Sequence, residues 1–139
     1  MQLAPYMLVV AVLMTPFSAA AAADVTVSVT GAKGQGLVFV SLCSNAFSPE
    51  TCPRAQRARP VDGGVAMVFR DVPAGVYAAA AFQDEDGDGR LTRTPVGLPM
   101  ERFGFSNGVG KTAPPRFQKA AFPVAGDMTV RIDLSSPPK

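Results

Sequence analysis

The sequence predicts an all-β protein, an antiparallel β-sandwich of about seven strands built as a single domain over residues 24–139. Three observations predict it. Asp24–Thr30 and Met128–Leu134 alternate apolar and polar residues, the period of two that gives a strand one buried face. The apolar runs between them are short and are punctuated by Gly, Pro and Asp-Gly pairs, which end strands in turns. No segment beyond residue 23 sustains a helical period.

Taken in order, Val25, Val27 and Val29 share one face of the first strand, with hydroxyls on the other. Gly36–Cys43 is a continuous apolar run, short and β-branched enough for a central strand. Val65–Phe69 puts Val65, Met67 and Phe69 together, and Asp71-Val-Pro-Ala-Gly75 turns the chain into Val76–Phe82. The four alanines 78–81 favour helix locally. The run is only seven residues long, however, and lies between Gly75 and Gly87, so it reads as a tightly packed strand. Thr92–Pro123 is rich in Gly, Pro and Phe. Its Phe103, Phe105, Phe117 and Phe122 are expected to anchor irregular backbone to the core, and Phe117–Val124 to return as a strand. Met128, Val130, Ile132 and Leu134 form the apolar face of the last strand.

Residues 1–23 carry no charged side chain and run from an apolar stretch, Met7–Met14, into five alanines, Ala19–Ala23. That pattern reads as a secretory signal helix cleaved near Ala23–Asp24, too short to span a bilayer stably. The expected location is therefore the periplasm or the medium, with no membrane span after cleavage. Cys43 and Cys52 are the only cysteines, and in an exported chain so close a pair is most simply a disulfide. All 13 basic and 11 acidic residues lie beyond residue 23, a net charge of +2. So small a surplus is no nucleic-acid footprint. Arg54, Arg57 and Arg59, between Pro53 and Pro60, read as a solvated loop.

The chemistry concentrates in Gln83-Asp-Glu-Asp-Gly-Asp-Gly-Arg-Leu91. Calcium loops of the EF-hand type use carboxylates at positions 1, 3 and 5, Gly at 6, a carbonyl at 7 and a bidentate Glu at 12. Asp84, Asp86, Asp88 and Gly89 match the first four, and Arg90 supplies a backbone carbonyl for the fifth. Position 12 is Pro95, and Glu101 is the nearest following acid able to swing in, although nothing in the spacing requires it. Two consecutive Asp-Gly pairs are also strong turn formers, so turn and weak calcium site both stay open. Calcium is the only cofactor suggested.

The chain has no histidine, which removes the usual imidazole bases and triads. The expectation is a non-catalytic exported protein that binds an envelope protein or glycan, or acts structurally. The competing class is a small envelope hydrolase working with Asp84, Asp88 and Glu101. A cleft lined by these acids would favour the hydrolase.

Four blocks carry a resemblance. They are Asp71-Val-Pro-Ala-Gly-Val-Tyr77, Gln83–Leu91, Gly97-Leu-Pro-Met-Glu-Arg-Phe-Gly-Phe-Ser-Asn107 and Pro115-Arg-Phe-Gln-Lys-Ala-Ala-Phe122. Their order and spacing resemble the bacterial exported family called domain of unknown function 2141. The resemblance implies a sandwich of the prealbumin-like or carboxypeptidase-regulatory-like kind and no particular activity. Gln83 stands where a His often precedes the acidic run, and Thr92 where an Asp often follows Leu91. Each difference removes a ligand that the family pattern would offer.

Overall fold

A computed structural model describes residues 11–16, 21–97 and 99–137. Residues 11–16 have no regular secondary structure, and the rest of the expected signal helix, 1–10 and 17–20, lies outside the described residues. The domain is an all-β sandwich. Its strands are β1 (Ala23–Thr30), β2 (Leu37–Cys43), β3 (Arg54–Ala58), β4 (Val65–Val72), β5 (Gly75–Asp84), β6 (Phe103–Phe105), β7 (Phe122–Val124) and β8 (Met128–Asp133). One helical turn, α1, spans Phe117–Ala120.

The small sheet has the order β4-β1-β8, and the large one runs β3-β2-β5-β6 with β7 also on β5. The alternation reads out as expected: Val25, Val27 and Val29 are buried against Met67, Phe69, Val130, Ile132 and Leu134. Val38, Val40, Leu42, Ala79 and Ala81 supply the facing layer. Alanines pack here because the opposing valines and Phe69 fill the space between the sheets.

Three details differ from the sequence reading. The sandwich is not wholly antiparallel, since β1 pairs with β8 in parallel, Val27 opposite Val130. First and last strands are joined through the whole domain, so no hairpin forces them to run oppositely. Second, Phe117–Ala120 is a helical turn, and only Phe122–Val124 is strand. Third, Arg54–Ala58 is strand β3, paired with β2, and not a loop. Its Arg54 donates to the Arg70 and Asp71 carbonyls, and its Gln56 to the Val68 carbonyl. These side chains satisfy carbonyls along β4, so one open side of the sandwich is stitched and that strand edge is blunted.

The opposite side closes through backbone. Phe103 and Ser135 exchange N–H···O=C bonds of 3.2 and 2.8 Å. Gly104 lies where this closure is tightest, because a Cβ there would come within 2.6 Å of Ile132 Cγ2 and 2.8 Å of the Asp133 carbonyl oxygen. β1 begins at Ala23, buried and opposite Val72, one residue before the expected domain boundary.

Cys43 and Cys52 form a disulfide across a separation of 9 residues, joining the end of β2 to the segment entering β3. Loop closure over about ten residues stabilises the fold by roughly 2.5–3 kcal/mol in the chain-entropy model. Such a bond is the chemistry of an oxidising compartment. Among the described residues no helix is long and apolar enough to cross a membrane.

Candidate functional site

β5 carries the acidic run off the end of the large sheet. Its last residue, Asp84, pairs with Leu37 of β2 and is 4% exposed. Gly36 makes this possible: at φ 113°, it lets its backbone lie against the Asp84 carbonyl, where any Cβ would collide. Beyond Asp84 the loop folds back on the carboxylate. Asp84 Oδ1 accepts the Gly87 amide at 3.0 Å, and Oδ2 the Gly89 amide at 2.8 Å. Asp86 Oδ1 accepts from the Asp88 amide (3.1 Å), and Asp88 Oδ1 from the Arg90 amide (2.8 Å).

The three carboxylates therefore converge, each offering an oxygen within 4.8 Å of the others. Asp84 is buried, while Asp86 and Asp88 are exposed. Arg90 sits in the same turn. Three acidic oxygens this close, on a loop held by its own amides, match the oxygen-donor chemistry of a hard divalent cation.

The spacing required no particular place for Glu101, and the fold supplies one. Met100 N–H bonds the Thr92 carbonyl (2.8 Å) and Arg93 lies opposite Pro99. This pairing returns the chain so that Glu101 lies beneath the acidic loop, 4% exposed. Glu101 Oε1 accepts the Glu85 and Asp86 amides at 2.9 and 3.4 Å, and Oε2 accepts the Thr92 amide at 3.1 Å. One buried carboxylate thus clamps both ends of the loop. Burial raises its pKa, outweighing the amides that lower it, and the Asp86 charge raises it further.

Asp86 shifts the other way. The Thr92 hydroxyl on its Oδ2 (2.8 Å), followed by the Asp88 amide, lowers its pKa to about 2. Thr92 therefore serves the loop as a hydrogen-bond donor. Gln83 has turned from the carboxylates to the β1–β2 connection: its side chain, 0% exposed, bonds the Lys33 amide and the Lys33 and Gln35 carbonyls. No periodicity announces either role, because both depend on what the fold brings alongside.

The Gly-Phe-Ser-Asn block is structural as well. Ser106 is fully buried, accepting the Ala79 amide at 3.0 Å and donating to the Ala120 carbonyl at 2.6 Å. Asn107, at φ 59°, donates to the Lys119 and Ala121 carbonyls. Together they hold α1 against β5. A polar pair between Phe105 and Gly108 was the available signal, since buried hydroxyls and amides need partners.

Next to the acidic loop lies the outer face of the large sheet. The register sets Arg57, Phe39, Phe82 and Phe103 in one row across it. Phe39 and Phe82 stack at 5.0 Å, and the Arg57 guanidinium lies 5.9 Å from the Phe39 ring centre. The next row holds Ala55, Ser41, Ala80 and Phe105. Phe47, carried by the disulfide loop, packs on Phe105 at 4.9 Å and on Phe117 at 5.9 Å.

Residues 27–132 match the model of a family described as an uncharacterized protein conserved in bacteria, DUF2141. The chain belongs to this family. The match takes in the sandwich from within β1 to within β8, together with the acidic loop and the Gly-Phe-Ser-Asn block of this DUF2141 domain. Comparison with curated proteins and with solved structures finds no match in either.

Proposed function

We propose that this DUF2141 chain is an exported, non-catalytic binding or structural module of the bacterial envelope, periplasmic or secreted, whose acidic loop holds calcium weakly. The convergence of Asp84, Asp86 and Asp88 within 4.8 Å carries the cation reading. Asp86 is ionised far below neutral pH, so the charge a cation needs is present. Of the three acids in the hydrolase alternative, Asp88 alone is exposed, and the two buried ones are turned to the backbone. Both oxygens of Asp84 and both of Glu101 accept loop amides, whereas a general acid or base needs an oxygen facing substrate.

Export is supported by the charge-free N-terminal segment and the disulfide. The test is thermal unfolding of the disulfide-bonded chain against calcium. With a dissociation constant of about 10⁻⁴ M or weaker, the range of extracellular modules, the melting temperature climbs through millimolar calcium. A flat response up to about 10 mM, roughly a hundredfold above that constant, leaves the loop a turn and overturns the cation reading.

A further inference from the structure

Ser41 and Ala80, small residues opposite each other on β2 and β5, floor a trough on the outer face of the large sheet. Phe82 is one bank, and the disulfide loop with Phe47 and Cys52 is the other. The trough opens into a cavity of 510 Å³ and continues into a second of 290 Å³, the two sharing Leu91, Arg93, Phe103, Phe105 and Pro115 as walls. The walls are mainly apolar. Arg93 stands at the junction and Lys111 at the far end, and no Asp, Glu, Asn or Gln is among the described lining residues.

We propose that this trough binds a fatty acid, its acyl chain along the small-residue row and its carboxylate at Arg93, with Lys111 adding positive charge at the far end. Charge complementarity selects the head group: two cations and no lining acid favour an anion. Arg93 Nη1 already donates to the Gly97 carbonyl at 3.0 Å, which holds the guanidinium at the junction. Lys111 makes a long, exposed contact of 3.9 Å with Asp133.

The chemistry of the walls selects the tail. A sugar would need side-chain amides or carboxylates to replace its lost water bonds, and the lining has none. An extended peptide would need a strand edge parallel to itself for its amides. The trough instead crosses the strands at right angles to their hydrogen-bonded edges. An acyl chain has no polar groups to satisfy.

The proposal rests on the binding-module reading but not on the cation, so its test is run in EDTA. Dodecanoate, below its micellar concentration, is titrated calorimetrically into the disulfide-bonded chain, with dodecanol and dodecyltrimethylammonium as comparisons. The expected result is one saturable site preferring dodecanoate to the cationic amphiphile. Arg93→Ala, an exposed substitution compatible with folding, should weaken dodecanoate about tenfold, the size of one charge-assisted hydrogen bond, and leave dodecanol unchanged. Ala80→Phe should block both ligands, with its melting curve reporting that it is folded. Absence of dodecanoate binding, equal binding of the cationic amphiphile, or binding unaffected by either substitution overturns the proposal. A calcium-dependent melting temperature without dodecanoate binding removes the trough alone, and dodecanoate binding without a calcium effect removes the loop reading alone.

Discussion

The Thr92 hydroxyl donates to Asp86 Oδ2 at 2.8 Å and is the leading cause of that carboxyl's pKa of about 2. The bond closes the acidic loop on itself across six residues. Thr92→Val keeps the shape and removes the donor, so the Asp86 pKa should rise toward the ordinary 3.8. Because the folded-state pKa is depressed, the linked stability is present above 3.8 and is lost as pH falls through about 2. The variant should lose its part of that stability at higher pH. Carboxyl carbon NMR titration gives the pKa, and urea unfolding between pH 2 and 5 gives the linkage.

Glu101 behaves oppositely. Its raised pKa means that its linked stability is present below the unfolded value of 4.5 and is lost as pH rises through the folded one. The cost of keeping it ionised is offset by three amides that need an acceptor. Glu101→Gln removes the charge but turns one acceptor into a donor facing an amide. Net destabilisation of about 1–3 kcal/mol at pH 7 is expected, the cost of an unsatisfied buried group. Urea denaturation measures it, and amide exchange at Glu85, Asp86 and Thr92 should speed up.

Asp84 and Asp88 separate calcium binding from loop architecture. Asp88 is exposed, and its Oδ1 bond to the Arg90 amide is one that Asn can reproduce. Asp88→Asn should leave the calcium-free melting temperature nearly unchanged and weaken the calcium response. Asp84→Asn loses one of two buried acceptors and should cost about 1–3 kcal/mol without calcium present. In the unmodified chain, about 10 mM calcium at a constant of about 10⁻⁴ M adds about 2.7 kcal/mol, some 10 °C for a domain of this size. Differential scanning calorimetry of the three proteins checks all of these values.

On β8, neighbouring residues report opposite environments. Ile132 is 1% exposed and lies against Gly104, whereas Arg131 faces solvent. Ile132→Asp should abolish cooperative unfolding, since an unpaired carboxylate would be buried between the sheets. Arg131→Asp should shift stability by no more than about 0.5 kcal/mol. Gly104→Ala should cost about 1–3 kcal/mol, because backbone as well as the Ile132 methyl would have to move. Circular dichroism melts distinguish the three.

Local features of the sequence were enough to determine much of this protein. Alternation at Val25–Val29 and Val130–Leu134 reports which side chains face the core, because a strand's side chains alternate whatever it pairs with. Cys43 and Cys52 lie close enough in sequence to announce their bond, and successive Asp-Gly pairs announce the turn that gathers three carboxylates. Only the tertiary structure decided which distant groups meet. The parallel pairing of β1 with β8, Arg54 and Gln56 on the β4 carbonyls, Gln83 on the Lys33 loop and Glu101 beneath residues 85–92 each join residues far apart in the chain. Closing a longer loop costs only slowly more entropy, so chain distance says little about partners. The partners were set instead by which amides, carbonyls and carboxylates the closed sheets brought within hydrogen-bonding reach, the buried ones needing such a bond.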